Sequence, residues 1–131
     1  MADKSVPSSD HIRDVVSFVE ASPTSYHAVA ELARRLEQAG FQLLEETEAW
    51  SSVEGRRYVV RDGAVIAWIT PEKVTSQLGA RIVGSHTDSP SFKLKPNATV
   101  TNQGWQQVGM EVYGGGLLNS WLDRDLGPVS Y

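Results

Sequence analysis

The sequence has no cysteine, no long apolar run and no excess of positive charge. Without cysteine, disulfide bonds and thiolate metal ligands are excluded, and the composition is compatible with a reducing cytosol. The net charge of -4 at pH 7 argues against nucleic acid and anionic membranes, because both bind basic faces. No stretch reaches the roughly 20 apolar residues of a membrane span, and the first ten residues lack the apolar segment of an export signal. We therefore expect a cytoplasmic protein with neither nucleic acid nor membrane as partner.

The amino acids that are present have the composition of a folded domain. Of the 131 residues, 40% are hydrophobic and 21% are charged, and 4 are Trp. This is enough apolar material for a core and is unlike the composition of a disordered chain. The length is that of one domain or of a piece of a larger one.

A first helix is predicted close to the start of the chain. Asp10 is its predicted N-cap, and the helix runs to about Ala21 before Pro23 ends it. Its apolar residues recur at helical spacing and form one face: Ile12, Val15, Val16 and Val19.

A second helix follows directly. Thr24 or Ser25 caps its start, and Gly40 stands where a glycine commonly follows the last turn. Its apolar stripe consists of Ala28, Val29, Leu32, Ala33, Leu36 and Ala39. Both helices therefore have a face that can pack on a sheet.

The pattern then changes to that of strands. Asp62-Gly63 between two β-rich runs predicts a hairpin. "RIVGS" (Arg81 to Ser85) predicts an interior strand, and the alternation of Val108, Met110 and Val112 with polar residues and glycine predicts a half-buried one. Lys93 to Gly104 has the composition of a linker and marks a subdomain boundary. The elements together indicate an α/β fold.

The stretch "VGSHTDSP" carries the clearest chemical signal, because His86 and Asp88 follow the strand predicted at Arg81 to Ser85. A His at a strand end can present one imidazole nitrogen to a metal, while a nearby carboxylate accepts the other N–H and fixes the ring. The H-x-D spacing by itself is a weak signal and is more typical of a solvated loop in which an exposed His stands beside a capping Asp. Spacing alone leaves both interpretations open, and a single His does not make a metal site.

The other polar residues give weaker signals. His11 is expected to be exposed near a helix start, and His27 to pack or cap at the second helix. Glu111 is a further carboxylate, and "LDRDL" with Asp123, Arg124 and Asp125 is typical of a surface turn with an Asp–Arg pair. Gly114-Gly115-Gly116 lacks the residues of a phosphate-binding loop. It indicates close approach of the backbone or a positive φ.

Three stretches in this order and spacing carry a family resemblance: Ser22 to Glu46, Gly84 to Pro96, and Gly104 to Leu126. With "YHAVAEL", "HTDSP" and "YGGG" followed by "DRDL", the chain resembles the N-terminal portion of the M18 metallo-aminopeptidases, the aspartyl aminopeptidases. The likeness runs from about Val15 to Leu126. It favours the ligand interpretation of His86.

The resemblance implies a fold and a set of site residues. Residues 1–93 would be the N-terminal part of a catalytic domain with helices packed on a mixed sheet, and residues 94–131 the start of an inserted dimerisation domain. His86 would bind one metal of a two-metal site, normally zinc with manganese or cobalt as alternatives, and Asp88 would orient it. Gly114, Gly115, Gly116, Asp123, Arg124 and Asp125 would lie near the active-site rim or the assembly interface.

The resemblance also implies an activity, the removal of N-terminal Asp or Glu from peptides by metal-activated water attack. The other ligands and the general base belong to family segments that lie beyond Tyr131, and "GPVSY" departs from the family pattern. We therefore expect a truncated and inactive chain that exposes apolar faces and forms homo-oligomers. Two alternatives stay open, a non-catalytic binding or assembly module on the same fold, and a different two-metal hydrolase.

Overall fold

The computed structural model describes residues 8–71 and 79–125, which form two helices, five strands and one short 3-10 helix. These elements fall into two compact units that divide the chain between Thr87 and Asp88. The first contains the helices α1 (Ser8–Glu20) and α2 (Ser25–Gln38) and the strands β1 (Gln42–Leu43), β2 (Gly55–Arg61) and β3 (Ala64–Thr70). The second contains β4 (Ser91–Asn102), β5 (Trp105–Tyr113) and the 3-10 helix Leu118–Trp121. The predicted α/β class is confirmed.

Helix α1 begins three residues earlier than the sequence predicts. Asp10 is therefore not its N-cap but lies in the first turn, with its carboxylate 3.7 Å from the Arg13 guanidinium. The position is still favourable, because a carboxylate in the first turn interacts with the positive end of the helix dipole. Ile12, Val15, Val16 and Val19 share a face as predicted, yet all four are exposed, by 48% to 63%.

Polar and aromatic contacts hold α1 against α2. The Arg35 guanidinium binds the Asp14 carboxylate at 2.7 Å and lies 5.3 Å from the centre of the Phe18 ring. On α2 itself, Glu31 accepts hydrogen bonds from both Arg34 and Arg35. The helices therefore meet through Asp14 and Phe18, and the valine face of α1 is left uncovered by the described residues.

The boundaries of α2 are as the sequence predicts. Thr24 is the N-cap, and its hydroxyl accepts a hydrogen bond from the His27 backbone N–H at 3.3 Å. The same hydroxyl lies 2.7 Å from His27 Nδ1, which confirms the predicted capping place of His27. Gly40 follows the last turn with φ of +80°, a left-handed conformation that glycine adopts without strain.

The sheet of the first unit is mixed, with strand order β1-β2-β3. β1 runs parallel to β2, and β2 pairs with β3 as an antiparallel hairpin from Gly55↔Thr70 to Arg61↔Ala64. Asp62 at the turn has φ of 52°, which Asp tolerates better than most residues. The predicted hairpin is confirmed.

The core of this unit lies where α2 packs on β2 and β3. Its buried apolar side chains are Ala28 and Val29 of the helix and Tyr58 and Val59 of the sheet. Tyr58 is only 1% exposed, and its hydroxyl donates a hydrogen bond of 2.7 Å to Glu37 on α2. One aromatic side chain thus supplies both apolar contact and a polar link between helix and sheet.

The strand predicted for Arg81 to Ser85 is wrong. Residues 79–85 form no regular secondary structure and belong to neither sheet, and Ile82 and Val83 are 88% and 98% exposed. An interior strand with apolar side chains is stable only with hydrogen-bonding neighbours and covered faces. The described part of the chain provides neither at this place.

The second unit is built on a two-stranded antiparallel ribbon. β4 and β5 pair from Ser91↔Tyr113 to Asn102↔Trp105, with an irregularity between Leu94 and Thr99. The prediction of a linker at Lys93 to Gly104 is therefore wrong. Proline among polar residues gave this segment the composition of a linker. Pro96 has no backbone N–H to donate to a neighbouring strand, and it falls within the irregular part of the ladder, where a proline is tolerated.

Strand β5 forms where the alternation predicts it, but the predicted half-burial is wrong. Val108, Met110 and Val112 are 63%, 38% and 52% exposed. A two-stranded ribbon has two open faces. On the one that carries these side chains, the described contact is at its end, where Phe92, the partner of Val112, packs on Trp121 of the short 3-10 helix. Residue 93 lies inside β4, and the assignment of residues 94–131 to an inserted dimerisation domain stays a prediction.

Replacement of Tyr58 by Phe tests the helix–sheet contact. We expect Tyr58→Phe to lower the free energy of unfolding by about 1–2 kcal/mol, since it removes a hydrogen bond to a carboxylate and keeps the ring. The control Glu37→Gln retains an oxygen acceptor and should cost less. Urea unfolding measures both, and a Tyr58→Phe protein as stable as the wild type would contradict the assignment.

The same residue should produce a pH dependence. Burial, and then the hydrogen bond to Glu37, raise the pKa of Tyr58 from 10.0 to about 12. Because the folded state favours the neutral phenol, this contribution is fully present below pH 10 and is lost as pH rises toward 12. Unfolding midpoints across this window should fall more steeply for the wild type than for Tyr58→Phe, and parallel curves would refute the linkage.

Candidate functional site

His86 lies in the loop that follows residues 79–85, at the end of the first unit. Its side chain is exposed, which is required of a residue that is to share a metal ion with ligands from other segments of a protein. The next residue, Thr87, is half-buried. Its hydroxyl donates a hydrogen bond of 2.6 Å to the backbone carbonyl of Gly63 in the β2–β3 turn. The loop that carries His86 is thus attached to the hairpin.

Asp88 opens the second unit and has a clear partner within it. Its Oδ2 accepts a hydrogen bond of 2.7 Å from the Tyr113 hydroxyl at the end of β5. That bond, supported by the charge of the carboxylate, raises the pKa of Tyr113. The Lys93 ammonium lies 3.5 Å from the centre of the same ring, a cation–π contact. The Tyr113 hydroxyl therefore donates to an anionic carboxylate, and a cationic ammonium lies over the face of the ring.

Gly114 is the member of the triple glycine with a defined structural need. Its φ is +76°, and a Cβ there would lie 3.2 Å from Pro90 Cα. Both properties that the sequence indicates, a positive φ and a close backbone approach, are confirmed at this position. A Cβ at Gly115 would meet no neighbour within 4 Å, and one at Gly116 would make only ordinary contacts with Pro90 and Trp121.

Three residues of the "DRDL" motif, Asp123 to Asp125, lie after the short 3-10 helix on the surface of the second unit. Asp123, Arg124 and Asp125 are exposed, and Asp123 has φ of 56°. The predicted surface location is confirmed, while the predicted Asp–Arg pair does not form within residues 79–125. The left-handed backbone at Asp123 turns the chain between Leu122 and Arg124, which explains why adjacent charges do not meet.

The residues that the structure describes do not complete a metal site. Within residues 8–71 and 79–125 no three His, Asp or Glu side chains come together in a way that could hold an ion. Protein zinc sites use three or four protein ligands, so His86 alone does not fit zinc. No helix in the same ranges has the length and hydropathy to cross a membrane.

Two contacts at these positions could not be found from the sequence. Thr87 and Gly63 are 24 residues apart, and Tyr113 and Asp88 are 25 apart. On the sequence alone, Thr87 separates His86 from Asp88, and Tyr113 stands at the end of a predicted strand. The remaining signal is their place within the motifs "HTDSP" and "YGGG".

The fold and these motifs agree with comparisons to known proteins. The family described as "Aminopeptidase I zinc metalloprotease (M18)" matches residues 18–129. The chain therefore belongs to the M18 family.

Relatives and solved structures agree with this assignment. The chain is 53% identical over 117 residues to the probable M18 family aminopeptidase 2 of Streptomyces coelicolor and 47% identical over 122 residues to that of Pseudomonas putida. These alignments cover 89% of this chain and 27% and 28% of those proteins. The chain thus spans a little over a quarter of the length of these relatives.

Among solved structures, the chain is similar to one in the cryo-EM structure of the Ape4 and Nbr1 complex, with a TM-score of 0.78 and 42% identity. That match covers 86% of this chain and 22% of the other. The yeast mApe1 dodecamer gives a TM-score of 0.79 and 32% identity, covering 88% and 28%. These neighbours bear out the predicted fold, part of an M18 catalytic domain.

The link between Asp88 and Tyr113 can be tested by titration. In Asp88→Asn we expect the pKa of Tyr113 to fall back toward its ordinary value of 10.0, because the carboxylate that disfavours the phenolate is gone. The ring-carbon NMR signal of Tyr113 followed against pH measures it. Glu111→Gln, which removes a carboxylate from the same strand, is the control. An unchanged titration in Asp88→Asn would show that the bond does not form.

Proposed function

We propose that this sequence is part of a zinc-dependent aminopeptidase that removes an N-terminal Asp or Glu from peptides, and that the 131 residues alone are inactive. The observation that carries the proposal is the match of residues 18–129 to a family described as a zinc metalloprotease. The acidic preference is supported by the likeness of "HTDSP" and "YGGG" with "DRDL" to the aspartyl aminopeptidases.

In this proposal His86 binds one metal ion and Asp88 orients its imidazole. The exposed side chain of His86, on a loop fixed to the hairpin through Thr87, supports the ligand role. A carboxylate has about four acceptor positions, so the hydrogen bond from Tyr113 to Asp88 is compatible with a second donor. Gly114 to Gly116 and Asp123 to Asp125 are assigned to the active-site rim or an assembly surface.

The proposed inactivity of the 131 residues follows from the ligand count. Within the described residues no three His, Asp or Glu side chains come together as a metal-binding cluster. The relatives are nearly four times longer than the matched segment, and the further ligands and the general base are assigned to the remainder of such a protein. Manganese and cobalt are the alternative metals.

We also propose that the protein is cytoplasmic and forms homo-oligomers. The absence of cysteine supports the first. The exposed valine face of α1 and the exposed apolar side chains of β5 support the second, since soluble monomers rarely leave such contiguous surface uncovered. One of the similar solved structures is a dodecamer.

Activity can be tested with two proteins. One is the 131-residue chain, and the other is the Streptomyces coelicolor relative with its matched 117 residues replaced by those of this chain. With zinc, manganese or cobalt, we expect the chimera to hydrolyse aspartyl and glutamyl amides far faster than leucyl or lysyl amides, and the chain alone to give no turnover.

The same assay tests the metal ligand. His86→Ala in the chimera should abolish turnover and lower the metal content, whereas His11→Ala should retain both, because His11 is an exposed residue of α1. Turnover by the isolated chain would contradict the proposed incompleteness. A chimera that folds without metal, measured by elemental analysis, would favour the non-catalytic module, and broad cleavage of neutral substrates would favour a different two-metal hydrolase.

Association of the isolated chain can be measured by sedimentation velocity over a range of protein concentrations. We expect a concentration-dependent shift to larger species, driven by the exposed face of α1. The double variant Val15→Lys, Val19→Lys should reduce the shift, and Asp10→Lys on the same helix should not. Monomeric behaviour of the wild-type chain at all concentrations would contradict this part of the proposal.

A further inference from the structure

We infer that Thr87 is a positioning residue, whose hydroxyl fixes the His86 loop to the Gly63 turn and, through that turn, to the start of α2. Nothing in the family match assigns a role to Thr87 or Gly63. The anchor is a property of the fold of the first unit, while its use in presenting a metal ligand rests on the proposed function.

The first support is the contact itself. The distance from Thr87 Oγ1 to the Gly63 carbonyl oxygen is 2.6 Å, within the range of a well-formed O–H···O hydrogen bond. Thr87 is half-buried, whereas every other residue from Gly79 to Pro90 is exposed. In this stretch Thr87 is therefore the side chain that packs against the unit.

The second support is the rigidity of the acceptor. Strand pairing continues to Arg61↔Ala64, directly beside the turn that contains Gly63. On its other side Gly63 packs on the first residue of α2, because a Cβ at Gly63 would lie 2.9 Å from Ser25 Oγ and 3.2 Å from Ser25 Cβ. The carbonyl that receives the Thr87 hydroxyl is thus held by the hairpin and by the helix.

The third support is the continuity of this path with the core. Ser25 follows the Thr24 N-cap, and Ala28 and Val29 one turn further on are buried. Outward from the core, the start of α2 packs on the Gly63 turn, and this turn accepts a hydrogen bond from the Thr87 hydroxyl. His86 directly precedes Thr87 in the chain. Consecutive Cα atoms are only about 3.8 Å apart, so an anchor at Thr87 limits the travel of the His86 backbone.

The anchor matters because the segment before it is unsupported by a sheet. Residues 79–85 belong to neither sheet, and Ile82 and Val83 are almost fully exposed. Regular strand pairing therefore does not define the place of His86. A side-chain hydrogen bond directly after the His supplies the restraint that strand pairing would otherwise give.

The experiment measures backbone order in the 131-residue chain by amide 15N relaxation. For the wild type we expect order parameters at His86 and Thr87 of about 0.85, the value of a rigid backbone. Thr87→Val keeps the shape and removes the donor, and the values should fall below about 0.6. Thr87→Ser keeps the donor and should retain wild-type values. Gly63→Ala, which pushes the turn away from Ser25, should lower them as well.

Thr70→Val is the matched control. The Thr70 hydroxyl also donates to a backbone carbonyl, that of Val53 at 3.1 Å, in the same unit. We expect Thr70→Val and Thr87→Val to lower the melting temperature by similar amounts, while only the latter changes the order parameters at residues 84–87. A general loss of stability would lower the order parameters at residues 84–87 by similar amounts in both variants.

Three results would overturn the inference. They are wild-type order parameters at His86 and Thr87 that already lie below about 0.6, order parameters that are unchanged in Thr87→Val, or an equal decrease in Thr70→Val. Should Thr87→Val fail to fold, the wild-type values and Gly63→Ala decide. Since the readout requires neither metal nor substrate, a failed anchor leaves the proposed activity standing, and an inactive chimera leaves the anchor standing.

Discussion

The packing of α2 on the β2–β3 hairpin is the contact on which the rest of the first unit depends. All the apolar side chains that are buried in the described residues lie on α2 and β2, and Tyr58 adds a hydroxyl link to Glu37. Because this core is small, polar contacts carry much of the remaining organisation: Arg35 holds α1, and Thr87 holds the His86 loop. Loss of the helix–sheet contact would therefore separate α1, held on α2, from the His86 loop, held on the hairpin.

The sequence predicted best those elements whose signals are local. The N-cap at Thr24, the glycine after α2 and the Asp62-Gly63 hairpin depend on residues within a few positions of each other, and the structure confirms them. Arg81 to Ser85 and Lys93 to Gly104 were predicted wrongly because strand formation depends on distant partners. β-branched residues without a neighbour do not form a strand, and a polar segment with a proline does when β5 pairs with it.

The candidate site divides in the same way. His86 and Asp88 could be named from a short motif and its family likeness, since the chemistry of an imidazole and a carboxylate can be read from the letters. The contacts of Thr87 and Tyr113 depend on residues 24 and 25 positions away, and no spacing rule within the chain reports them. The structure thus adds the contacts that support the motif, while the proposed roles of His86 and Asp88 at a metal rest on the family likeness.

The exposed segment before His86 is also open to proteolysis. Cleavage concentrates in exposed chain outside regular secondary structure, and residues 79–85 are all exposed and belong to neither sheet, with Arg81 among them. Cleavage after Arg81 by a trypsin-like enzyme would leave α2, the hairpin and the β4–β5 ribbon each intact. The same cut would make His86 the fifth residue of a new chain, next to the Thr87 hydroxyl that binds Gly63.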